Sequence, residues 1–196
     1  MTSIIGICGF QGSGKDTLAD ILVKKYGYTK LSYAGILKDI VAIMFDWDRN
    51  LVEGSTKESR EWREQVDPWW SKRLGIPNLT PRFVLQNIGT DVFRNHFHPD
   101  IWIACVEKQL TKYQKVVFTD CRFPNEIDMI TNHGGKIIKI FRNEIPQLYH
   151  DILNDKIEPP TNLHPSEWKW IKSTENYLIM NNGSIEDLET LIKGII

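Results

Sequence analysis

Ile4-Ile5-Gly6-Ile7-Cys8 runs directly into Gly9-Phe10-Gln11-Gly12-Ser13-Gly14-Lys15-Asp16-Thr17, and Leu18, Ile21 and Leu22 follow at helical spacing. An apolar strand, a glycine-rich turn and an amphipathic helix in succession are the layout of a phosphate-binding loop, matched here through its lysine. Glycines let backbone N–H groups turn inward around phosphate oxygens, the start of the helix adds partial positive charge, and Lys15 reaches the outer phosphates. The expected ligand is a nucleoside triphosphate, held by Gly12, Ser13, Gly14, Lys15, Asp16 and Thr17. The alternative is a glycine-rich turn that binds nothing. In the usual pattern a hydroxyl follows the lysine, whereas here position 16 is Asp and the hydroxyl is Thr17. The loop therefore points to phosphate binding more directly than to magnesium coordination, for which Asp16, through metal-bound water, and an acidic residue at a later strand end are the candidates.

Outward from this loop, short apolar runs alternate with helical segments. The runs are Ile4 to Cys8, Tyr28 to Ser32, Val116 to Thr119, Ile137 to Phe141 and Tyr177 to Met180. That alternation predicts an α/β fold, a doubly wound parallel sheet of about five strands. A helix is expected from Ala34 to Phe45, and later helices start at Thr80-Pro81, Pro99-Asp100 and Pro124-Asn125, with proline where first-turn N–H groups lack partners anyway. The last helix opens at Ser184, with Asp187 approximating a capping box. Two stretches interrupt the alternation. Residues 46–80 carry Trp47, Trp62, Trp69 and Trp70 among Lys57, Arg60, Arg63, Lys72 and Arg73, and read as a helical insertion on the substrate side. Residues 143–170, with four prolines, read as a lid-like mobile cover over a site. Neither boundary is sharp, so the expectation is a single domain, 1–196.

The chain has 196 residues, 24 Lys+Arg against 25 Asp+Glu and a formal net charge of −1. That balance excludes electrostatic coating of nucleic acid or membrane. No run approaches the roughly 18 apolar residues of a membrane span, and no signal-peptide layout opens the chain, so a cytoplasmic protein is expected. Cys8, Cys105 and Cys121 have no paired spacing, which predicts reduced thiols and no zinc site. The five histidines likewise form no metal-ligand spacing.

A phosphate-binding loop does not by itself separate a kinase from a switch or a motor, so the acceptor side has to decide. Transfer to an already anionic phosphate needs no general base, but it needs cations to hold two polyanions together. Lys38, Arg63, Arg94 and Arg122 are the candidates, each with an ordinary surface ion pair as its alternative. Asp120 ends the run Val116-Val117-Phe118-Thr119, where an acidic residue holds magnesium directly or through water, or else caps a turn. Arg142 follows the fourth strand and would reach ATP as the next segment closes; a plain exposed strand-end arginine is the alternative.

Four stretches together resemble the deoxynucleoside monophosphate kinases of tailed bacteriophages. They are Ser13-Gly14-Lys15-Asp16-Thr17, Gln86-Asn87-Ile88-Gly89-Thr90-Asp91 with Arg94 and Trp102 downstream, Asp120-Cys121-Arg122-Phe123-Pro124-Asn125-Glu126, and His164-Pro165-Ser166-Glu167. The resemblance covers nearly the whole chain, and the glycine–lysine–aspartate loop is itself a feature of that family. It implies a P-loop kinase fold and ATP-dependent, magnesium-dependent phosphorylation of deoxynucleoside monophosphates to diphosphates for DNA precursor synthesis, in the host cytoplasm if the gene is a phage's. Carried over by residue, Thr17, Asp16 and Asp120 go to the metal, and Lys38, Gly89, Thr90, Arg94, Trp102, Asp120, Arg122 and Glu126 to the acceptor. Lys15, Asp120 and Arg122 form the catalytic set. Arg63 aligns less directly and is added as a phosphate clamp. Asn182, within Asn181-Asn182-Gly183, lies where adenine often rests in such kinases; a simple turn is its alternative. Trp102 also fits a helix core beside Ile103, Val106 and Leu110. The partners implied are small-molecule substrates, with no nucleic acid and no membrane, and a homodimer is left open. Related kinases of phosphomevalonate or dephospho-coenzyme A remain alternatives, as does an ATP-binding regulator without turnover. Tyr33-Ala34 stand where dephospho-coenzyme A kinases place their aspartate base, which argues against a hydroxyl acceptor.

Overall fold

The computed structural model describes residues 2–161 and 163–196; Met1, and Asn162 within the expected cover, lie outside them. In chain order the elements are β1 (Ser3–Cys8), α1 (Lys15–Tyr26), β2 (Thr29–Leu31), α2 (Gly35–Phe45), α3 (Arg49–Glu53), α4 (Lys57–Trp62), α5 (Pro68–Leu74) and α6 (Pro81–Gln86). A π-helical segment (Asn87–Phe97), α7 (Ile101–Leu110), β3 (Lys115–Phe118), α8 (Pro124–Asn132), β4 (Lys136–Phe141), α9 (Gln147–Leu153), a 3-10 turn (Pro165–Glu167), β5 (Tyr177–Met180) and α10 (Ile185–Lys193) complete it. The chain divides into two compact units, the first built from residues up to 32 together with 106–196 and the second from residues 33–105.

The first unit holds a five-stranded sheet in the order β2-β3-β1-β4-β5. All its pairings are parallel, with Gly6 of β1 opposite both Phe118 of β3 and Ile137 of β4. Parallel strands are covered on both faces, which is why β1, β3 and β4 read as nearly unbroken apolar runs. Side-chain alternation then sorts them. Ile5, Ile7, Val117, Ile138, Ile140 and Ile179 pack with Leu18 and Leu22 of α1 and Leu188 and Ile192 of α10. Gly6 and Ile137 face the other way, toward Ile130 of α8. On that same face Phe141 meets Tyr149 of α9, ring centroids 5.0 Å apart, and Trp170. The chain leaves β1 toward one edge of the sheet and β4 toward the other, so a crevice opens at the carboxyl end of β1, beyond which the glycine loop lies.

The expected strands and helix starts are observed to within two residues. The capping box of α10 at Ser184 is closed by Asp187, whose N–H donates to Ser184 Oγ at 3.1 Å while Ser184 N donates to Asp187 Oδ2 at 2.8 Å. The 143–170 stretch is anchored on both sides: Tyr149, Ile152 and Trp170 are buried, and an unbroken exposed run from Leu153 to Glu158 lies between them. Lys139, flanked by apolar residues in β4, is buried and reaches this stretch, donating to Ile171 O at 2.8 Å and Ser173 O at 2.7 Å and pairing with Glu175 at 2.9 Å.

The 33–105 unit extends beyond the expected insertion at both ends. Its short tryptophan-bearing helices need the apolar faces of α2 and α6, whose Leu37, Val41 and Val84 are buried with Val52 and Leu79. Phe45 stacks on Trp47 at 4.6 Å and touches Trp70 at 4.7 Å, and the indole of Trp47 donates to Asp67 at 2.9 Å. Helix α6 widens at Asn87 into π geometry, which proline and caps in the sequence did not foretell. A widened turn leaves carbonyls to be satisfied from elsewhere, and Trp102 Nε1 supplies Gly89 O at 2.9 Å.

Candidate active site

The loop between β1 and α1 is held open by its own backbone. Gly14 caps α1 at φ 102°, a left-handed conformation, and a Cβ there would lie 2.2 Å from Asn181 Nδ2. That amide donates to Ser13 O at 3.0 Å, tying the loop to the end of β5. Ser13 is buried, and its hydroxyl has no hydrogen-bond partner among the described residues. A buried, unpaired hydroxyl on a glycine-rich loop suits an anionic ligand better than a plain turn. The ammonium of Lys15 folds back over the loop, donating to Gly9 O at 2.9 Å and Phe10 O at 2.8 Å.

Burial, and then the nearby Arg122 guanidinium, pull Lys15 from 10.5 down to about 8, although Asp16 and Glu167 push the other way. Two cations crowded together in a half-buried site carry an electrostatic cost that a polyanion relieves. Arg122 follows β3. Its backbone N–H donates to Glu126 Oε2 at 2.7 Å, and that of Phe123 to the same oxygen at 3.1 Å, so buried Glu126 caps α8 and sets the Arg122 turn. Nη1 of Arg122 donates to Glu167 Oε1 at 2.9 Å. Asp120, two residues earlier, accepts from Ser32 Oγ at 2.6 Å.

Asp16 accepts from Lys30 Nζ and, at 3.3 Å, from Thr119 Oγ1, residues at the ends of β2 and β3. Although burial alone would raise its carboxyl, the Lys30 bond and the charges of Lys30 and Lys15 hold it below the usual carboxylate range. Thr17 is exposed on the first turn of α1. No group of three His, Cys, Asp or Glu able to hold a metal by itself occurs among the described residues. A hydroxyl and two carboxylates nevertheless fit magnesium, which keeps several waters and binds through one or two carboxylates plus substrate phosphates. Burial and contact with Cys8 push the Cys121 thiol well above the ordinary range, which makes it a poor nucleophile.

Beside the loop is a pocket of about 210 Å3 lined by Gln11, Gly12, Ser13, Arg142, Asn143 and Glu144 among others, which places exposed Arg142 against the loop. Asn182 follows β5 on the same side as this pocket's Asn143 turn. Its side-chain oxygen accepts from Asn143 N at 2.6 Å and its amide donates to Asn143 O at 3.0 Å, bracing the turn after β4.

The other expected residues belong to the 33–105 unit. Lys38 pairs with Glu53 at 2.6 Å, and Arg49 takes the other oxygen of Glu53 at 2.6 Å. Burial raises the Glu53 carboxyl, but Lys38 and then Arg49 bring it below its usual value. Arg63 lies against Gly54, which at φ 71° leaves room that a Cβ would fill to within 2.1 Å of the guanidinium carbon. Thr90 and Arg94 sit on the π-helical segment, where Arg94 Nη1 donates to Pro99 O at 3.4 Å. Gly89 is buried, and Trp102 is 3% exposed and 5.2 Å from the Phe93 ring, which is the core placement that helical spacing offered as its alternative. Lys30, Ser32, Thr119, Asn181, Glu53 and Glu167 were not singled out from sequence. Only Glu167 and Asn181 carried a signal, as members of quoted motifs without a role of their own.

A parallel sheet in this order, a glycine loop closed by lysine at the end of β1 and a second cation at the end of β3 define an ATP-dependent phosphotransferase of the P-loop kinase class. A family profile described as deoxynucleotide monophosphate kinase matches residues 75–192. An Acanthamoeba polyphaga mimivirus protein, provisionally named deoxynucleotide monophosphate kinase, is 30% identical over 96% of this chain and 93% of its own. The deoxynucleoside-5'-monophosphate kinase of Escherichia phage T5 is 25% identical over 68% of this chain and 74% of its own. In fold, the chain is similar to a dephospho-CoA kinase from Campylobacter jejuni, with TM-score 0.50, 16% identity and 99% and 96% of the two chains covered. The chain belongs to the deoxynucleotide monophosphate kinase family and is a nucleotide kinase. No helix among the described residues is long and apolar enough to cross a membrane.

Proposed function

We propose that the protein transfers the γ-phosphoryl group of ATP to a deoxynucleoside monophosphate, giving the diphosphate and ADP, as a cytoplasmic step of DNA precursor synthesis. The observation that carries this reading is the placement of two cations, Lys15 on the glycine loop after β1 and Arg122 after the neighbouring strand β3, at the same end of the sheet. Lys15 would leave the carbonyls of Gly9 and Phe10 for the outer phosphates of ATP, which Gly12, Ser13 and Gly14 cradle. Arg122 would meet the phosphoryl group in transit, where charge spreads over its oxygens. The acceptor is itself a phosphate, so no side chain has to remove a proton.

Thr17, Asp16 and Asp120 would hold magnesium, which would supply positive charge to offset that of the phosphates. Arg142 would contact ATP from the turn that Asn182 braces. On the acceptor side Lys38, Arg63, Thr90 and Arg94 would engage the monophosphate, with Gly89 and Trp102 shaping the segment that carries two of them. The exposed residues between Leu153 and Glu158 would supply the moving part of a cover.

The test is a coupled assay of ADP release with magnesium and ATP against dAMP, dGMP, dCMP, dTMP, the matching ribonucleotides and dephospho-coenzyme A. Turnover of at least one deoxynucleotide, lost by orders of magnitude in Lys15→Met, is expected. Silence on every deoxynucleotide while ATP still binds, or turnover confined to dephospho-coenzyme A, would overturn the reading.

A further inference from the structure

Glu167 lies 45 residues beyond Arg122, in a motif the phosphoryl chemistry does not itself require. The guanidinium of Arg122 is held on one side only. Nη1 donates to Glu167 Oε1 at 2.9 Å and to Ser166 O at 3.3 Å, whereas Nε and Nη2 make no hydrogen bond among the described residues. The backbone end is pinned as well, through Glu126. A planar fork held at one nitrogen keeps its other edge, the Nε and Nη2 donors, in a fixed orientation for two oxygens of a single anion.

Glu167 is itself fixed from two directions. It ends the 3-10 turn Pro165–Glu167, which His164 caps, the ring Nδ1 accepting from Ser166 N at 3.3 Å and lying 2.8 Å from Ser166 Oγ. The carbonyl of Glu167 accepts from the indole of Trp170 at 3.0 Å. Trp170 is buried and packs edge-on against Phe10 of the phosphate loop, ring centroids 5.1 Å apart. A continuous set of contacts thus joins the phosphate loop to the guanidinium through the segment after α9.

We propose that Glu167 is a positioning residue for the reaction: with Ser166 O it tethers Nη1 of Arg122 so that the Nε and Nη2 edge stands preorganised for a phosphoryl group. The inference rests on the reading of Arg122 as a phosphate-binding cation. Glu167 touches no substrate. Its effect passes through the orientation of Arg122, and a misplacement of about an ångström at a reacting centre lowers rate by up to roughly 100-fold.

Four measurements test this. Glu167→Ala should lower kcat for the acceptor about 10- to 100-fold and leave the ATP dissociation constant within roughly twofold. Glu167→Gln, which keeps a side-chain oxygen as acceptor for Nη1, should recover most of that loss. The double variant Arg122→Ala with Glu167→Ala should be no slower than Arg122→Ala alone, because the tether has nothing left to hold. Additive losses, or a gain in acceptor affinity in Glu167→Ala, would overturn the proposal, the gain by showing that the carboxylate competes with phosphate for the arginine. Rotation of the Arg122 guanidinium about its Nε–Cζ bond, followed by NMR without substrate, should be slow in the unmodified protein and in Glu167→Gln and fast in Glu167→Ala. Equal rates in all three would also overturn it. That last readout stands if no deoxynucleotide is turned over, so loss of the functional reading and loss of the tether are separable.

Discussion

Replacing Lys15 with methionine removes a buried cation, and the consequence for stability depends on pH in a direction that the site dictates. Burial and Arg122 lower Lys15 from 10.5 to about 8, which at about 1.4 kcal/mol per unit corresponds to about 3 kcal/mol of disfavour for the charged form in the folded protein. Between those two values the unfolded chain binds more protons at this position than the folded one, so stability contributed by Lys15 rises with pH across the window. Below about 8 the cost is fully present, and by 10.5 it has been relieved. The ammonium's bonds to Gly9 O and Phe10 O favour the charged form, which makes about 3 kcal/mol the ceiling for the pH-dependent difference. The assay is urea unfolding of both proteins without nucleotide, in half-unit steps from pH 7 to 10.5. Subtracting the Lys15→Met curve removes the titration of the other lysines and tyrosines. The expected result is a gain of about 1 to 3 kcal/mol for the unmodified protein relative to the variant across the upper part of that range. Curves that stay parallel to within the extrapolation error would refute the crowding of Lys15 by Arg122, and with it the electrostatic argument for a polyanion site.

Two further substitutions probe the scaffold. Lys139→Met leaves the carbonyls of Ile171 and Ser173 without their donor and Glu175 without its partner, and should lower unfolding free energy by about 3 kcal/mol, toward the smaller end for a buried pair because Glu175 can rehydrate. A loss under roughly 1 kcal/mol in denaturant titration would mean that Lys139 does not anchor the stretch after α9. Trp102→Phe keeps the ring but deprives Gly89 O of its donor, at a cost of about 1 to 3 kcal/mol. Amide exchange should rise across the π-helical segment and stay unchanged in β1; exchange unchanged in both would separate the widened helix from its indole support.

Much of the first unit was legible because its signals are local. β1 and β4 announced themselves as apolar runs, Pro124 and Ser184 marked helix starts, and the loop carried its chemistry in nine consecutive residues. The 33–105 unit was less so. Its tryptophans were visible, but their helices are too short to show a period, and the apolar faces that complete them come from segments assigned elsewhere. The stretch from 143 to 170 read as a mobile cover on its prolines, yet Tyr149 and Trp170 are among the most buried aromatic side chains. Of the two asparagines after β5, Asn181 secures the phosphate loop and Asn182 braces the turn at Asn143, a division that adjacency in sequence conceals.

Taken alone, the sequence determined the alternation of strands and helices, the phosphate loop with its lysine, and the residue types of the site, because each depends on hydrogen bonds and side-chain periodicity within a few residues. Tertiary structure alone decided which charges meet. Lys139 is tolerated in the core because residues 171, 173 and 175 return to it, Asp16 is held by Lys30 and Thr119 because β2 and β3 end side by side, and Arg122 is oriented by Glu167 because the segment after α9 folds back toward the phosphate loop. Electrostatic energies depend on distance through space and on exclusion of water, and strand order sets both.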